Sequence, residues 1–197
     1  MAWRIEEFTV TPEDEQWNAL RSIISSSSRG RFVPAGTYRR LMRDGNTIMS
    51  DTPNELEDLW EFKRRATGKV LINGLGLGCA VRMALAKREV THVTVIEINQ
   101  EIIDLVGASF GGVARLQIYC DDALTWRPSP GEHWDVVWHD IWDDICADNL
   151  VEMKRLHRRY WRYSEWQESW CRAQCENAHI GHRPRPLPRQ RHNGARS

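Results

Sequence analysis

The residues able to do chemistry cluster in the middle of the chain. Asn73-Gly74-Leu-Gly76-Leu-Gly78 sets three glycines at alternate positions directly after the apolar run Val70-Leu-Ile72. Glycines in such a turn permit positive φ and let backbone amides approach a ligand closely. Glu97 follows 23 residues after Gly74, at the end of a second apolar run, His92 to Ile96. An acid at that place takes both hydroxyls of a ribose. Asp121-Asp122-Ala123 closes a third run, Leu116 to Tyr119. If the three runs are parallel strands, their ends meet at the sheet edge where ligands bind. A plain α/β domain with incidental turns is the alternative, and the acids at two successive strand ends weigh against it.

A second constellation lies in Trp134-Asp-Val-Val-Trp138-His139-Asp140-Ile-Trp142-Asp143-Asp144. His139 and Asp140 are candidates for a base or for orienting an acceptor amine, and Asp143 can share that role. A carboxylate at the end of a buried strand needs a partner, which favours a function for Asp140. Strand alternation turns His139 away from Asp140, so His139 is as readily structural as catalytic. Trp134 and Trp138 read first as core. Cys171-x3-Cys175-x3-His179-x2-His182 offers four candidate metal ligands within 12 residues. Structural zinc sites usually pair ligands across a turn and a longer insertion, so no metal ligand is assigned here.

The elements that must position these groups follow from local pattern. Strands are expected at Lys69–Ile72, His92–Ile96, Leu116–Tyr119 and Trp134–Trp138, with helices over Cys79–Lys87 and Gln100–Ser109. Alternation with short connections and uninterrupted apolar strands predicts an α/β fold, a Rossmann-like parallel sheet buried on both faces. Before it come a short strand at Arg4–Val10 and a helix opened by Thr11-Pro12-Glu13. A β-hairpin follows, turning at Asp44-Gly45 with Thr47–Ser50 as its second strand. Its first strand is either Arg31–Pro34 or Thr37–Met42, and Asn54–Ala66 reads as a helix with Leu56, Leu59, Trp60 and Phe62 as its apolar stripe. After Cys146 no strand is expected; Asn149 to Ala173 reads as a helix that covers the exposed edge of the fourth strand, unless a partner subunit in a homodimer does so. The chain thus divides into an N-terminal entry region (1–66), a nucleoside-binding core (67–146), a C-terminal helical cover (147–176) and a basic tail (177–197) expected to be mobile.

Composition excludes several classes. The 197 residues carry 27 basic and 27 acidic side chains, and 41% are hydrophobic, enough for a core. Five arginines and no acid lie in 177–197; without them 22 basic residues face 27 acidic ones, a net of −5. An acidic body with a basic tail is not the profile of a dedicated nucleic-acid binder, so nucleic acid is expected only through the tail. No apolar run approaches the ~20 residues that cross a bilayer, and no signal-peptide pattern opens the sequence, so no membrane association is expected. The five cysteines are odd in number and fit reduced thiols, hence a cytoplasmic location.

The GxGxG spacing, with an acid after the second strand and Asp-Ala after the third, resembles the class I S-adenosylmethionine-dependent methyltransferases. In dinucleotide enzymes the third glycine comes one residue later. The resemblance implies S-adenosyl-L-methionine as cofactor and small-molecule donor, bound by Asn73, Gly74, Gly76, Gly78 and Ala123, with Glu97 on its ribose, Ile98 against the adenine and Asp122 accepting from the adenine amino group. Trp138 and Trp142 would wall the site and favour a sulfonium. Leu41-Met-Arg-Asp44-Gly45 through Asn54-Glu55, with Asp140-Ile-Trp-Asp143, is similar to the spermidine synthase branch of that fold, over about residues 41–145. Spermidine synthases carry an aspartate where this chain has Leu77, and a glutamine and an aspartate where it has Ile48 and Asn54. Aminopropyl transfer needs those groups for a second cation, whereas methyl transfer does not. The expectation is therefore a truncated methyltransferase fold acting on an unidentified acceptor. An aminopropyltransferase and a non-catalytic cofactor-binding protein are the alternatives.

Overall fold

The computed structural model describes residues 2–24 and 32–181. Two sheets make up the frame. The N-terminal sheet is antiparallel, in the order β1 (Trp3–Val10), β2 (Gly36–Arg43), β3 (Asn46–Ser50). Between β1 and β2 runs α1 (Pro12–Ile24). Thr11 caps α1: its Oγ1 accepts the Asp14 N–H at 3.1 Å, and the Asp14 carboxylate accepts the Thr11 N–H at 3.0 Å in return. The β2–β3 turn has positive φ at both Asp44 and Gly45, the backbone that matches the twist of a two-residue hairpin. Thr37–Met42, not Arg31–Pro34, supplies its first strand; residues 32–34 are irregular.

Asn54–Ala66 is not one helix. It breaks into α2 (Pro53–Glu57) and α3 (Trp60–Arg65). The break turns Leu59 and Phe62 into the core and leaves Trp60 exposed, stacked under the Arg64 guanidinium. The predicted stripe thus loses one member.

The main sheet is fully parallel, in the order β6 (Leu116–Cys120), β5 (Val90–Glu97), β4 (Gly68–Asn73), β7 (Trp134–His139), β8 (Ser164–Ser169). The chain starts at the centre, builds outward to β6, and returns to place β7 and β8 on the other side. The reversal falls between β4 and β7, the place where such sheets form a ligand crevice. Apolar side chains alternate between two cores. Val70, Ile72, Val136 and Trp138 pack toward α3, α4 (Cys79–Leu85) and the helix after β5. Leu71, Val137 and Trp134 pack toward α6 (Asn149–Tyr160) through Leu156 and Tyr160. The helix after β5 opens as α5 (Gln100–Ile102) and then widens into a π-helical turn, Ile103–Gly107, rather than running as regular α-helix to Ser109.

The C-terminal part corrects the expectation most. Asn149–Ala173 is not a single helical cover: α6 ends at Tyr160, and β8 pairs parallel with β7 from Trp134↔Ser164 to His139↔Ser169. A fifth strand, not a helix, covers the edge of β7. After it α7 (Arg172–Gly181) continues past the boundary expected for the tail. The remainder, from residue 182, lies outside the described residues. Among the described residues no helix is long and apolar enough to cross a membrane.

Candidate active site

A cavity of about 340 Å³ opens at the carboxyl ends of β4, β5 and β7, under the N-terminal hairpin. That volume lies within the range of ~300–1,000 Å³ that takes a cofactor-sized molecule. Its floor is the turn after β4. Gly74, at φ +98°, is obligatory there, because a Cβ would sit 1.9 Å from the Asp140 carbonyl oxygen. β4 and β7 can therefore converge only with glycine at this position. Asp140 N–H donates to the Asn73 carbonyl at 2.8 Å, and Gly74 N–H to the Ile96 carbonyl at 2.8 Å, tying the three strand ends together. Met49, on β3, reaches over the turn, its Sδ accepting the Leu77 N–H at 3.2 Å.

Glu97 ends β5 and is buried. Its Oε2 accepts the Leu75 N–H at 2.8 Å and its Oε1 the Asn99 N–H at 2.8 Å. Each oxygen keeps a second lone pair, so the carboxylate is held rigidly and can still accept two hydroxyls. Ile98 beside it lines the cavity and is 62% exposed, an apolar surface on which a ring can lie. Across the cavity, Asp122 Oδ1 accepts the Leu124 N–H at 2.8 Å, which leaves Oδ2 for a ligand donor; buried Ala123 completes that wall. Gly74, Gly76, Glu97, Ile98, Asp122 and Ala123 all line one cavity. Gly78 does not; it caps α4 in a left-handed conformation, packed against Phe110 and Val106.

Asp140 lines the same cavity. The residue is half-buried at the cavity wall. Desolvation, chiefly, pushes its pKa up to about 7, with the carboxylates of Asp58 and Glu55 acting in the same direction and the Trp138 indole in the other. Asp143, also at the rim, is exposed and paired with Arg43 of β2 at 2.5 Å. This pair joins the two sheets across the cavity mouth and occupies one face of the Asp143 carboxylate.

His139 and Asn73 are corrections. Both are fully buried on the far side of the sheet and neither lines the cavity. Residues 137 and 139 of β7 face α6, while Trp138 faces α3, so alternation removes His139 from the site. Asn73 Nδ2 lies 2.7 Å from His139 Nδ1, and Gln167 Oε1 lies 3.2 Å from its Nε2; His157 and Tyr160 pack on the ring. Burial holds His139 neutral, its pKa pushed down to about 3. An uncharged imidazole with two internal partners is a structural member of the core.

Trp134 and Trp138 are core residues, and Trp142 lines the cavity, donating from its indole to Glu152 at 2.9 Å. Residue types did not single out Glu55, Glu152 and Trp170, which line the cavity too. Glu55 gave only one signal, its place in the hairpin motif, and it accepts both Ser50 N–H and Ser50 Oγ–H at 2.7 Å. Cys171 and Cys175 are buried; the side chain of His179 and all of His182 lie outside the described residues, and no metal-binding group occurs among the described ones.

No protein-family model matches the chain, and no curated protein matches it. Solved structures do. The N-methyltransferase NodS from Bradyrhizobium japonicum, in complex with S-adenosyl-L-homocysteine, is similar at 15% identity, over 58% of this chain and 58% of that one, with a TM-score of 0.46. A putative methylase from Haemophilus influenzae is similar at 16% identity, over 58% and 70%, with a TM-score of 0.43. The 23S rRNA methyltransferase ErmE is similar at 22% identity, over 45% and 34%, with a TM-score of 0.36. The chain thus spans about a third of the length of this last protein and a little over half that of the first.

Proposed function

We propose that the cavity binds S-adenosyl-L-methionine and that the protein is a methyltransferase acting on an acceptor still to be identified. One observation carries the reading: three successive parallel strand ends bring Gly74–Gly76, Glu97 and Asp122 around a single cavity of cofactor size. Glu97, anchored at both oxygens, would hold the ribose; Ile98 and Ala123 would flank the adenine, and Asp122 would accept from its amino group. When bound, the donor supplies an electrophilic methyl group on a sulfonium. The chain's own part is to position the acceptor and, where that acceptor carries a proton, to take it. Asp140 suits this, since a carboxyl that titrates near neutrality is a competent base and lines the cavity where an acceptor would enter.

Aminopropyl transfer finds less support. Leu77, at the position of the extra family aspartate, is buried in the core, and the Asn54 amide is turned away to the Phe32 carbonyl. Calorimetry with S-adenosylmethionine, its decarboxylated form and NAD tests the assignment. Binding of the first alone is expected; binding of NAD alone would overturn it. Conversion of the donor to S-adenosylhomocysteine over pools of small amines, nucleic acid and protein then tests catalysis. Intact binding with no turnover in any pool would make the protein a non-catalytic binder.

A further inference from the structure

The outer face of α6 stands apart from the rest of the surface. Its exposed positions run Val151, Lys154, Arg155, Arg158, then Trp161 and Arg162 just past the helix end. The spacing is that of one helical stripe, and it holds four cations and no acid. Glu152, the one carboxylate of α6, sits off this stripe at the cavity rim and is taken by the Trp142 indole.

Arginine alone is not the signal, because most arginines elsewhere are engaged. Arg40, Arg43, Arg64 and Arg172 form ion pairs, and Arg115 and Arg159 donate to backbone carbonyls. No carboxylate among the described residues pairs with Lys154, Arg155, Arg158 or Arg162. Arg162 instead lies 5.0 Å over the ring of Trp161, which is 61% exposed. Unpaired cations concentrated on one helix are unexpected in a body whose net charge is negative.

We propose that this face docks single-stranded nucleic acid along the outer side of α6. Phosphates supply the complementary charge, and releasing their counterions favours binding without any shape fit. The exposed indole with its guanidinium is a stacking surface, which unpaired bases can use and duplex bases cannot. An anionic membrane fits less well: the apolar side of α6, Met153, Leu156 and Tyr160, is buried against the sheet, which leaves only Val151 and Trp161, about three turns apart, to meet lipid. The stripe begins at Lys154 and Arg155, two and three residues after Glu152 at the cavity rim, and runs down the outer side of α6 to Trp161 and Arg162 near the start of β7, where Trp134 N–H donates to the Tyr163 carbonyl at 2.8 Å. The docking does not depend on what the cavity binds.

The test uses the full chain without donor and a fluorescent oligothymidylate of about 15 nucleotides, followed by anisotropy across a salt series. Three variants are compared: Lys154→Gln/Arg155→Gln/Arg158→Gln, Trp161→Ala, and replacement of the five tail arginines (Arg183, Arg185, Arg189, Arg191, Arg196) by Gln. Circular dichroism checks that each is folded. The helix triple should weaken binding about tenfold or more and reduce the salt slope by about two. Trp161→Ala should weaken it about fivefold or more. The proposal is overturned if wild-type binding is absent or independent of salt. It is equally overturned if the tail variant abolishes binding while the helix triple retains it. Helix-dependent binding of phosphatidylserine vesicles without oligonucleotide binding would reassign the face to a membrane.

Discussion

Glu97 Oε2 accepts the backbone N–H of Leu75 at 2.8 Å, so the end of β5 is fastened to the glycine turn after β4. One carboxylate therefore both shapes the turn and faces the cavity. The two roles can be separated experimentally, because an amide keeps an acceptor oxygen while losing charge.

Glu97→Ala should weaken S-adenosylmethionine binding by roughly 1.5–3 kcal/mol, the scale of a charge-assisted hydrogen bond. It should also lower the melting temperature, since the buried Leu75 N–H loses its acceptor. Glu97→Gln should recover part of the stability and little of the affinity. Equal affinity in wild type and Glu97→Ala by calorimetry would remove the ribose assignment.

Asp140→Asn should lower methyl-transfer turnover by about 10²-fold or more with donor affinity nearly unchanged. Asp143→Asn should do much less, because Asp143 is exposed and already paired with Arg43. In wild type the turnover should rise with pH through about 7, as the Asp140 carboxyl loses its proton. A rate profile flat between pH 6 and 8, with chemistry rate-limiting, would exclude Asp140 as the base.

The same carboxyl has a signed effect on stability. Its folded pKa lies above the unfolded value, so the folded state holds the extra proton between about 4 and 7. Stability contributed by the protonated form is present below that window and lost as pH rises through it. Asp140→Asn should accordingly raise the melting temperature at pH 8 and leave it nearly unchanged at pH 4.

His139 acts in the opposite sense. Its folded pKa is pushed below the unfolded value, as burial also does to neighbouring His157. The neutral ring is stable above about pH 6.5, and stability should fall as acid protonates the unfolded chain. Denaturant titrations should show a smaller loss between pH 7.5 and 5 for His139→Gln than for wild type. His139→Ala should cost about 2–4 kcal/mol at pH 7.5, through a cavity and unpaired Asn73 and Gln167 groups.

Gly74→Ala should prevent folding of the site, since its Cβ meets the Asp140 backbone 1.9 Å away. Gly45→Ala, at φ +87° with open space around it, should cost only about 1 kcal/mol. Similar losses from the two substitutions would contradict the strand convergence at Gly74.

Local signals along the chain sufficed for the central architecture and the floor of the site. Apolar runs long enough for strands, glycines between a strand and a helix, and acids at the next two strand ends are local signals, and they placed Gly74, Gly76, Glu97, Asp122 and Asp140 around one cavity. Tertiary structure decided the rest. β8 was hidden because Ser-Glu-Trp-Gln-Glu-Ser is polar; it is a strand only because β7 offers it an unpaired edge and Trp166 packs on the core. For His139 the two-residue strand period left a structural role as open as a catalytic one, and the packing of that face of β7 against His157 and Tyr160 of α6 decided for the structural one. Glu152 reached the rim from a helix whose position depends on how α6 packs against the sheet. Periodicity is written in neighbouring residues, whereas which face of an element meets which partner depends on contacts far apart in the chain, and those exist only once the sheet has closed.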